Sequence, residues 1–325
     1  MKKKIVLFAT GGTIASTGDP LKGNVIATLK GEELINKLNM LSQLDFDVEV
    51  INYTTVNSVE ISVFDMYDIA VEVKKILERD EVTGVVITHG TSLMEETAFV
   101  LDTLIDIDKP VVFTGSQYND GCLWSDGLAN LKDALSVAAS PLSKDKGVLV
   151  VFSGRIHEGR QIIKKHTNAL DAFTSGEAGI LGQVYINKVE FFRPRIRKIL
   201  TINSFKRCSV AIIPFYSGAD GRYLRAAIDF DEDGVVIEGV GLGNVNKGFF
   251  EKIKELRDKH KNVVITSRSP EGRVAPVYAY GGGGASLRDI GVMFSHLPAS
   301  KARLMLMLAI GGGYPMDKLN KYFSE

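Results

Sequence analysis

The chain has 325 residues, of which 45% are hydrophobic and 24% charged, as is ordinary for a globular protein. This length allows two domains, or one large domain with an appendage, and suffices for a sizeable core. Lys plus Arg and Asp plus Glu number 39 each, so no global field would attract nucleic acid or an anionic membrane surface. The composition therefore favours a small molecule as the partner, with no nucleic acid and no membrane.

The N-terminus and the cysteines predict a cytoplasmic protein. The basic start, Met1 to Lys4, precedes an apolar run that ends at Gly11, too short for a signal-peptide core or a membrane span. Cys122 and Cys208 lie far apart, which is typical of a reducing compartment and of cysteines that pack without pairing. We expect neither secretion nor a disulfide framework.

Short β-branched runs alternate with helical spacing through the first half of the chain, which is typical of a doubly wound parallel sheet. The predicted strands are residues 4–9, 47–52, 84–88, 110–114 and 147–152. The predicted helices are residues 31–41, 65–79, 92–104 and 125–139. Because open α/β sheets bind ligands at the carboxyl ends of their strands, we expect a site there.

A charged, proline-interrupted stretch near residues 191–197 indicates a connection between two domains. Behind it a second alternating set follows. Its predicted strands are residues 209–215, 234–240 and 262–267, and its predicted helices are residues 218–229, 247–260 and 300–309. We therefore predict an α/β protein with a large N-terminal domain (1–190), a connection (191–207) and a smaller C-terminal domain (208–325), each with a mainly parallel sheet.

Two glycine-rich motifs place threonines at the ends of predicted strands. The sequence ATGGTIA at residues 9–15 follows the first strand, and THGT at residues 88–91 follows the third. Glycine lets backbone N–H groups approach a ligand and accepts dihedral angles that a larger residue disfavours. The pattern thus places the hydroxyls of Thr13 and Thr91 where ligands bind, although strand packing and helix capping are the alternative roles of such threonines.

These two motifs begin a series that continues along nearly the whole chain. The further segments are EETA at 95–98, PVVFTG at 110–115, SDG at 125–127, NL at 130–131, GR at 159–160, Lys164, Thr167, GVG at 239–241, GN at 243–244, SR at 267–268 and KAR at 301–303. In this order they resemble the bacterial and archaeal L-asparaginase/glutaminase family. The resemblance implies a large N-terminal and a small C-terminal α/β domain, assembled as a homodimer or homotetramer, that hydrolyses the side-chain amide of L-asparagine or a close ω-amide.

The resemblance also implies catalytic roles in the N-terminal domain. Thr13 matches the nucleophile that forms an acyl-enzyme, and Thr91 with Lys164 matches the threonine–lysine pair. A lysine ammonium in a cleft lowers the pKa of a neighbouring hydroxyl or shuttles its proton, which fits the needs of amide hydrolysis. Backbone N–H groups around Gly12, Thr13 and Thr91 would stabilise the oxyanion. The alternative for Lys164, beside Lys165, is a solvated charge.

Substrate recognition departs from the family pattern. Ser92 stands where the family has an aspartate that binds the substrate's α-ammonium group, and Val59 replaces a glutamine between Ser58 and Glu60. Either Glu60 compensates with its carboxylate, or the substrate is a different amide that lacks or masks its amino group. The candidate substrate-binding residues are Gly12, Ser58, Val59, Glu60, Gly90, Ser92 and Asn244, the last matching an asparagine that reaches toward a neighbouring subunit's active site.

The family's proton-relay tyrosine has no counterpart, because Asn24, Val25 and Ile26 occupy its stretch. The glutamate that partners it in some members is missing too, since residues 272–303 contain no glutamate. We hypothesise that Tyr278 or Tyr280, before the glycine run 281–284, substitutes for this phenol. Aromatic packing beside a flexible glycine loop is the alternative.

No metal and no cofactor are predicted. His157 and His166 lack further ligands at metal-binding spacing, and GVGLG at 239–243 lacks the rest of a dinucleotide fingerprint. His89 is interpreted as a scaffold residue, and Asp126 either orients the catalytic turn or caps the next helix. Two rival classes stay open: a non-catalytic small-molecule-binding homologue, and an amidotransferase-associated glutaminase, which the early position of the first motif disfavours.

Overall fold

The computed structural model describes residues 4–18, 22, 25–41 and 44–323. The chain forms two compact units, Met1–Ile199 and Leu200–Glu325. The division lies inside the segment 191–207, which the sequence indicates as a connection. Within the described part, no helix combines the length and the apolarity that a membrane crossing requires.

Unit 1 is built on an eight-stranded sheet with the strand order β12-β11-β8-β7-β6-β5-β1-β4. Its strands and those of two small hairpins are β1 (Lys4–Gly11), β2 (Ser16–Thr17), β3 (Ile26–Ala27), β4 (Asp47–Val56), β5 (Val82–Thr88), β6 (Val111–Thr114), β7 (Val148–Phe152), β8 (Arg155–Glu158), β9 (Ile163–Lys164), β10 (Phe173–Thr174), β11 (Gly182–Tyr185) and β12 (Lys188–Phe191). Its helices are α1 (Gly31–Leu41), α2 (Val63–Leu77), α3 (Met94–Leu104) and α4 (Gly127–Ala139). The five strands from β4 to β7 in this order pair in parallel, and β8, β11 and β12 extend the sheet antiparallel.

The parallel strands form because their apolar runs are covered on both faces, as parallel sheets require. Residues Ile5, Val6 and Leu7 are fully buried, and α4 packs over β5, β6 and β7. The register places Ala9 beside Thr88 and Thr88 beside Thr114. The carboxyl ends of β1, β5 and β6 therefore lie side by side, and the loops that leave them share one edge of the sheet.

Unit 2 has a four-stranded parallel sheet in the order β13-β14-β15-β16. Its strands are β13 (Val210–Pro214), β14 (Gly234–Gly239), β15 (Asn262–Ser267) and β16 (Met293–Phe294). Its helices are α5 (Arg222–Asp229), α6 (Lys247–Asp258), α7 (Gly284–Asp289), α8 (Ala299–Gly311) and α9 (Asn320–Phe323). A separate apolar core, which includes Leu224, Ile237 and Phe249, packs between its sheet and helices.

The predicted fold class is confirmed, with a mainly parallel sheet in each α/β unit. Several elements were not predicted: the antiparallel extension β8, β11 and β12, the short hairpins, β16, α7 and α9. Residues 281–284 were expected to form a glycine loop, whereas Gly284 begins α7.

Candidate active site

The first threonine motif lies where β1 ends and the chain turns. Gly11 and Gly12 have φ angles of 101° and 83°, in the region that favours glycine. Residues Thr13–Ala15 then form one 3₁₀ turn, held by the buried side chains of Ile14 and Ala15. Thr13 is half-buried, and its hydroxyl has no hydrogen-bond partner among the described residues. The turn therefore presents a hydroxyl that no described residue engages at the carboxyl edge of the sheet.

The second motif lies at the end of β5 and touches the first. Thr10 Oγ1 donates a 2.7 Å hydrogen bond to the carbonyl oxygen of Thr88. A Cβ on Gly12 would lie only 2.5 Å from the backbone nitrogen of Gly90. The two motifs are therefore in backbone contact, which only glycine at position 12 permits.

Lys164 and Thr91 form a direct pair. The ammonium of Lys164, on the short strand β9, donates a 2.8 Å hydrogen bond to the hydroxyl of Thr91, which is buried. Burial lowers the pKa of Lys164, and the carboxylate of Glu95 opposes this change. The half-buried Lys164 ammonium therefore lies within hydrogen-bonding distance of the Thr91 hydroxyl, as proton transfer between the two groups requires.

Main-chain donors are available beside both threonines. No acceptor for the main-chain N–H of Thr13 or of Thr91 is found within the described ranges. Both groups lie in turns that follow adjacent strands, where the backbones are in contact. Such unpaired donors can stabilise negative charge on a carbonyl oxygen during acyl transfer.

Ser58, Val59 and Glu60 form a single 3₁₀ turn after β4. Ser58 is buried, and a Cβ on Gly90 would lie 2.6 Å from its hydroxyl oxygen. The Ser58 hydroxyl also accepts a 3.4 Å hydrogen bond from the main-chain N–H of Leu93. Ser58 thus joins Gly90 and the second motif, whereas Val59 and Glu60 are exposed beside it.

Ser92 is exposed, directly after the paired Thr91. Neither its hydroxyl nor the carboxylate of Glu60 has a hydrogen-bond partner in the part of the chain that the structure describes. Both side chains are therefore accessible to a ligand, and the position that would carry an acid in the family holds an uncharged hydroxyl.

The remaining predicted site residues belong to unit 2. Asn244 is buried, and its side-chain oxygen accepts a 3.2 Å hydrogen bond from the main-chain N–H of Gly284, so it holds the start of α7. Tyr278 and Tyr280 are about half exposed, with ring centroids 6.2 Å apart. Their role in a proton relay stays a prediction. Of the residues in the tyrosine's place, Val25 and Ile26 are exposed, and Asn24 lies outside the described residues.

Asp126 has a role that differs from helix capping. It precedes α4, yet its carboxylate does not cap that helix. Instead it accepts hydrogen bonds of 3.0 to 3.1 Å from the main-chain N–H groups of Gln117 and Tyr118, and one of 2.9 Å from the Asn130 amide. The capping alternative is therefore wrong, because the carboxylate holds the loop that leaves β6.

His89 and His157 are both buried and engaged. Nδ1 of His89 donates to the carbonyl oxygen of Gly90 at 2.8 Å, and Nε2 lies 3.0 Å from the Thr97 hydroxyl. His157 pairs with Ser175 at 2.9 Å. Desolvation lowers the pKa of each histidine from 6.5 to about 4, so both are neutral near pH 7. His89 therefore supports the turn that follows β5 as a neutral side chain.

A pH-dependent stability follows from the buried His89. Its folded pKa lies below its unfolded value, so the unfolded chain binds more protons between pH 6.5 and pH 4. We expect the free energy of unfolding to fall across this window by up to about 3 kcal/mol per such histidine. Chemical denaturation of the wild-type protein and of His89→Asn at pH 7, 5.5 and 4 measures it. The stability difference between the two proteins should shrink toward pH 4, and a pH-independent difference would contradict the assignment.

Sequence comparisons relate this chain to known proteins. The sequence model for the family "Asparaginase, N-terminal" matches residues 4–197, and that for "Glutaminase/Asparaginase C-terminal domain" matches residues 209–323. An L-asparaginase of Bacillus licheniformis is 30% identical, covering 95% of this chain and 96% of its own length. L-asparaginase 2 of Escherichia coli is 32% identical, covering 99% of this chain and 92% of its own length.

A solved structure extends the likeness to the fold. The crystal structure of a probable cytoplasmic L-asparaginase from Campylobacter jejuni aligns with a TM-score of 0.86 and 29% sequence identity, covering 100% of both chains. Two matching domain models, full-length relatives and a shared fold point to the same conclusion. The chain belongs to the asparaginase family of amidohydrolases.

Proposed function

We propose that this protein hydrolyses the side-chain amide of L-asparagine, or of a close ω-amide, to the acid and ammonia. Thr13 is the nucleophile and forms an acyl-enzyme, and Thr91 with Lys164 handles the protons. Gly12, Ser58, Val59, Glu60, Gly90, Ser92 and Asn244 bind the substrate, and Tyr278 or Tyr280 contributes a proton relay. The names of the Bacillus licheniformis and Escherichia coli relatives, L-asparaginase and L-asparaginase 2, support the reaction.

The reaction proceeds in two steps. In the first, the Thr13 hydroxyl gives up its proton as its oxygen bonds to the carboxamide carbon, and the main-chain N–H groups of Thr13 and Thr91 stabilise the oxyanion. The C–N bond then breaks as that proton is passed on to the leaving nitrogen, which departs as ammonia. In the second, water attacks the resulting ester, the bond to Thr13 breaks, and a proton returns to its oxygen. The acid and ammonia are the products.

The observation that carries this proposal is the 2.8 Å hydrogen bond between the Lys164 ammonium and the Thr91 hydroxyl. Bringing a lysine into a half-buried position costs desolvation, which is reflected in its lowered pKa. A binding protein would gain little from that cost. A catalyst gains a group whose proton moves more readily near neutral pH.

An ammonia-release assay with L-asparagine, L-glutamine and succinamic acid tests the proposed function. We expect hydrolysis of at least one of these amides, with ammonia and acid released in equal amounts. Thermal stabilisation by an amide without any ammonia release would contradict hydrolysis and favour the non-catalytic binding homologue.

A second candidate substrate class is favoured by Ser92. Its exposed hydroxyl offers no negative charge to an α-ammonium group, and Val59 beside Ser58 is an exposed apolar side chain, 63% accessible. An ω-amide without a free amino group would not need that charge. Succinamic acid has this structure, so its rate relative to L-asparagine distinguishes the two classes.

Ser92→Asp is expected to strengthen recognition of L-asparagine. A new carboxylate beside the catalytic turn would supply a charge-assisted hydrogen bond, which contributes about 1.5 to 3 kcal/mol, or roughly a 10- to 100-fold lower KM. Steady-state kinetics on L-asparagine and succinamic acid measure this change, with Ser92→Asn as the uncharged control. If Ser92→Asp and Ser92→Asn gave the same KM for L-asparagine, a missing charge would not be what limits recognition.

We further propose that the protein is cytoplasmic and forms a homodimer or homotetramer. The Campylobacter jejuni relative that shares its fold carries the word cytoplasmic in its name. Light scattering coupled to size exclusion measures the oligomeric state, and a monomeric active protein would contradict the second part of this proposal.

A further inference from the structure

Glu95 binds the main chain of the catalytic lysine, not its ammonium group. It lies in the first turn of α3, four residues after Thr91. One of its carboxylate oxygens accepts a hydrogen bond from the main-chain N–H of Lys164. The same lysine donates its ammonium to the Thr91 hydroxyl. The start of α3 and the turn before it therefore hold Lys164 at both ends, at its backbone through Glu95 and at its side chain through Thr91.

The strand that carries Lys164 needs such support. β9 and β10 are two residues each, and Lys164 is paired with Phe173 in this small antiparallel ladder. A two-stranded hairpin is marginally stable by itself. The hydrogen bond from Lys164 to Glu95 ties this hairpin to α3, whose buried face includes Met94, Ala98 and Leu101.

We propose that Glu95 is the positioning residue of the catalytic lysine, and that its carboxylate is the negative charge that balances the lysine ammonium in a site with an uncharged Ser92. This inference rests on the proposed function, because it assigns Lys164 a part in catalysis. Glu95 acts through Lys164 and has no contact with the reacting atoms in this assignment.

The charged groups around Lys164 make Glu95 the relevant carboxylate. The Lys165 ammonium pairs with the carboxylate of Asp171 on the same hairpin, at 3.3 Å. Arg155 of β8 lies 3.9 Å from that carboxylate. Phe173, opposite Lys164, is uncharged. The Glu95 carboxylate raises the pKa of Lys164 against the effect of burial. Removing its charge therefore lowers that pKa further, whichever protonation state catalysis uses.

Two variants separate position from charge. Glu95→Gln keeps an oxygen that accepts the Lys164 N–H and removes only the charge, whereas Glu95→Ala removes both. We expect Glu95→Ala to lower kcat by about 100-fold, as a misplaced catalytic group does, with KM changed little. Glu95→Gln should recover most of kcat and move the Lys164-dependent limb of the kcat pH profile to lower pH by about 1 unit.

Asp233→Asn is the matched control. Asp233 accepts a 2.8 Å hydrogen bond from the main-chain N–H of Ser209 and lies in unit 2. Its replacement removes a carboxylate from the same kind of contact and should leave both kcat and the pH profile unchanged. Circular dichroism of each variant checks the fold, and the pH profile of Glu95→Gln decides the question if Glu95→Ala does not fold.

The outcomes distinguish this inference from the proposed function. An active wild-type protein with an unshifted pH limb in Glu95→Gln and a wild-type kcat in Glu95→Ala would overturn the role of Glu95 alone. A wild-type protein that releases no ammonia from any amide would overturn the proposed function itself.

Discussion

Thr13→Ala is expected to abolish amide hydrolysis and leave the fold intact. The variant removes the atom that would bond to the carboxamide carbon, and loss of a nucleophile lowers kcat by about 10⁴-fold or more. The Thr13 hydroxyl is half-buried and has no hydrogen-bond partner among the described residues, so its loss leaves no buried polar group unpaired. Ammonia release measures the activity, and thermal unfolding measures the stability.

Thr83→Ala is the matched control for this prediction. Thr83 is a half-buried threonine near the start of β5, at the opposite end of the sheet, and its hydroxyl donates a 3.1 Å hydrogen bond to the carbonyl oxygen of Lys4. Its replacement should cost some stability and no activity. Residual turnover of Thr13→Ala within tenfold of the wild type would exclude a nucleophilic role for Thr13.

Thr91→Ala, Lys164→Met and the double variant are expected to lose the same activity. Because the two side chains share one 2.8 Å hydrogen bond, removing either should disable the pair, and removing both should add nothing. We expect each kcat to fall by about 10²- to 10⁴-fold, the usual contribution of positioned proton transfer. Steady-state kinetics of the four proteins form a double-mutant cycle.

Additive losses of activation free energy in that cycle would contradict the proposal that Thr91 and Lys164 act as one pair. Two independent roles would multiply the single effects, so the double variant would be slower than the wild type by the product of both factors. Lys165→Met provides the control, since Lys165 carries the same charge on the next residue and pairs with Asp171 on the hairpin. It should retain wild-type turnover.

The parallel core of the fold follows from the sequence, and the antiparallel extension does not. Runs such as Ile5 to Phe8 are apolar throughout because both faces of the sheet are covered. β8 instead contains Glu158, which is fully buried. Its carboxylate accepts hydrogen bonds from Arg193 at 2.9 Å and from the main chain of Ile196 at 2.6 Å. A sequence pattern that treats charged residues as exposed does not predict a strand such as β8, whose buried acid pairs with residues far along the chain.

The turn between β11 and β12 was not predicted from the sequence for a different reason. Ile186 and Asn187 occupy it with φ angles of 48° and 61°. Two-residue hairpin turns of this kind are usually signalled by glycine at such positions, and a β-branched residue is rare there. Isoleucine in the turn therefore resembles a strand residue and conceals the hairpin.

The site residues likewise fall into those that a sequence pattern indicates and those that it does not. The positions of Thr13 and Thr91 follow from glycines at or just after the end of a strand, a pattern local enough to be visible in the sequence. Lys164 lies on a two-residue strand, 73 residues after its partner Thr91, so only the family resemblance indicates it. The contact of Glu95 with the Lys164 backbone spans 69 residues and involves a main-chain donor, which no side-chain pattern can reveal.

Thr13 is the residue proposed to carry the acyl group, although the lysine contacts Thr91. Rapid acid quenching during turnover of the most active amide, followed by peptide mass mapping, tests it directly. We predict an acyl adduct on the peptide that contains Thr13, and its absence in Thr13→Ala. An adduct on the peptide that contains Thr91, with the Thr13 peptide unmodified, would show that Thr91 and not Thr13 is the nucleophile.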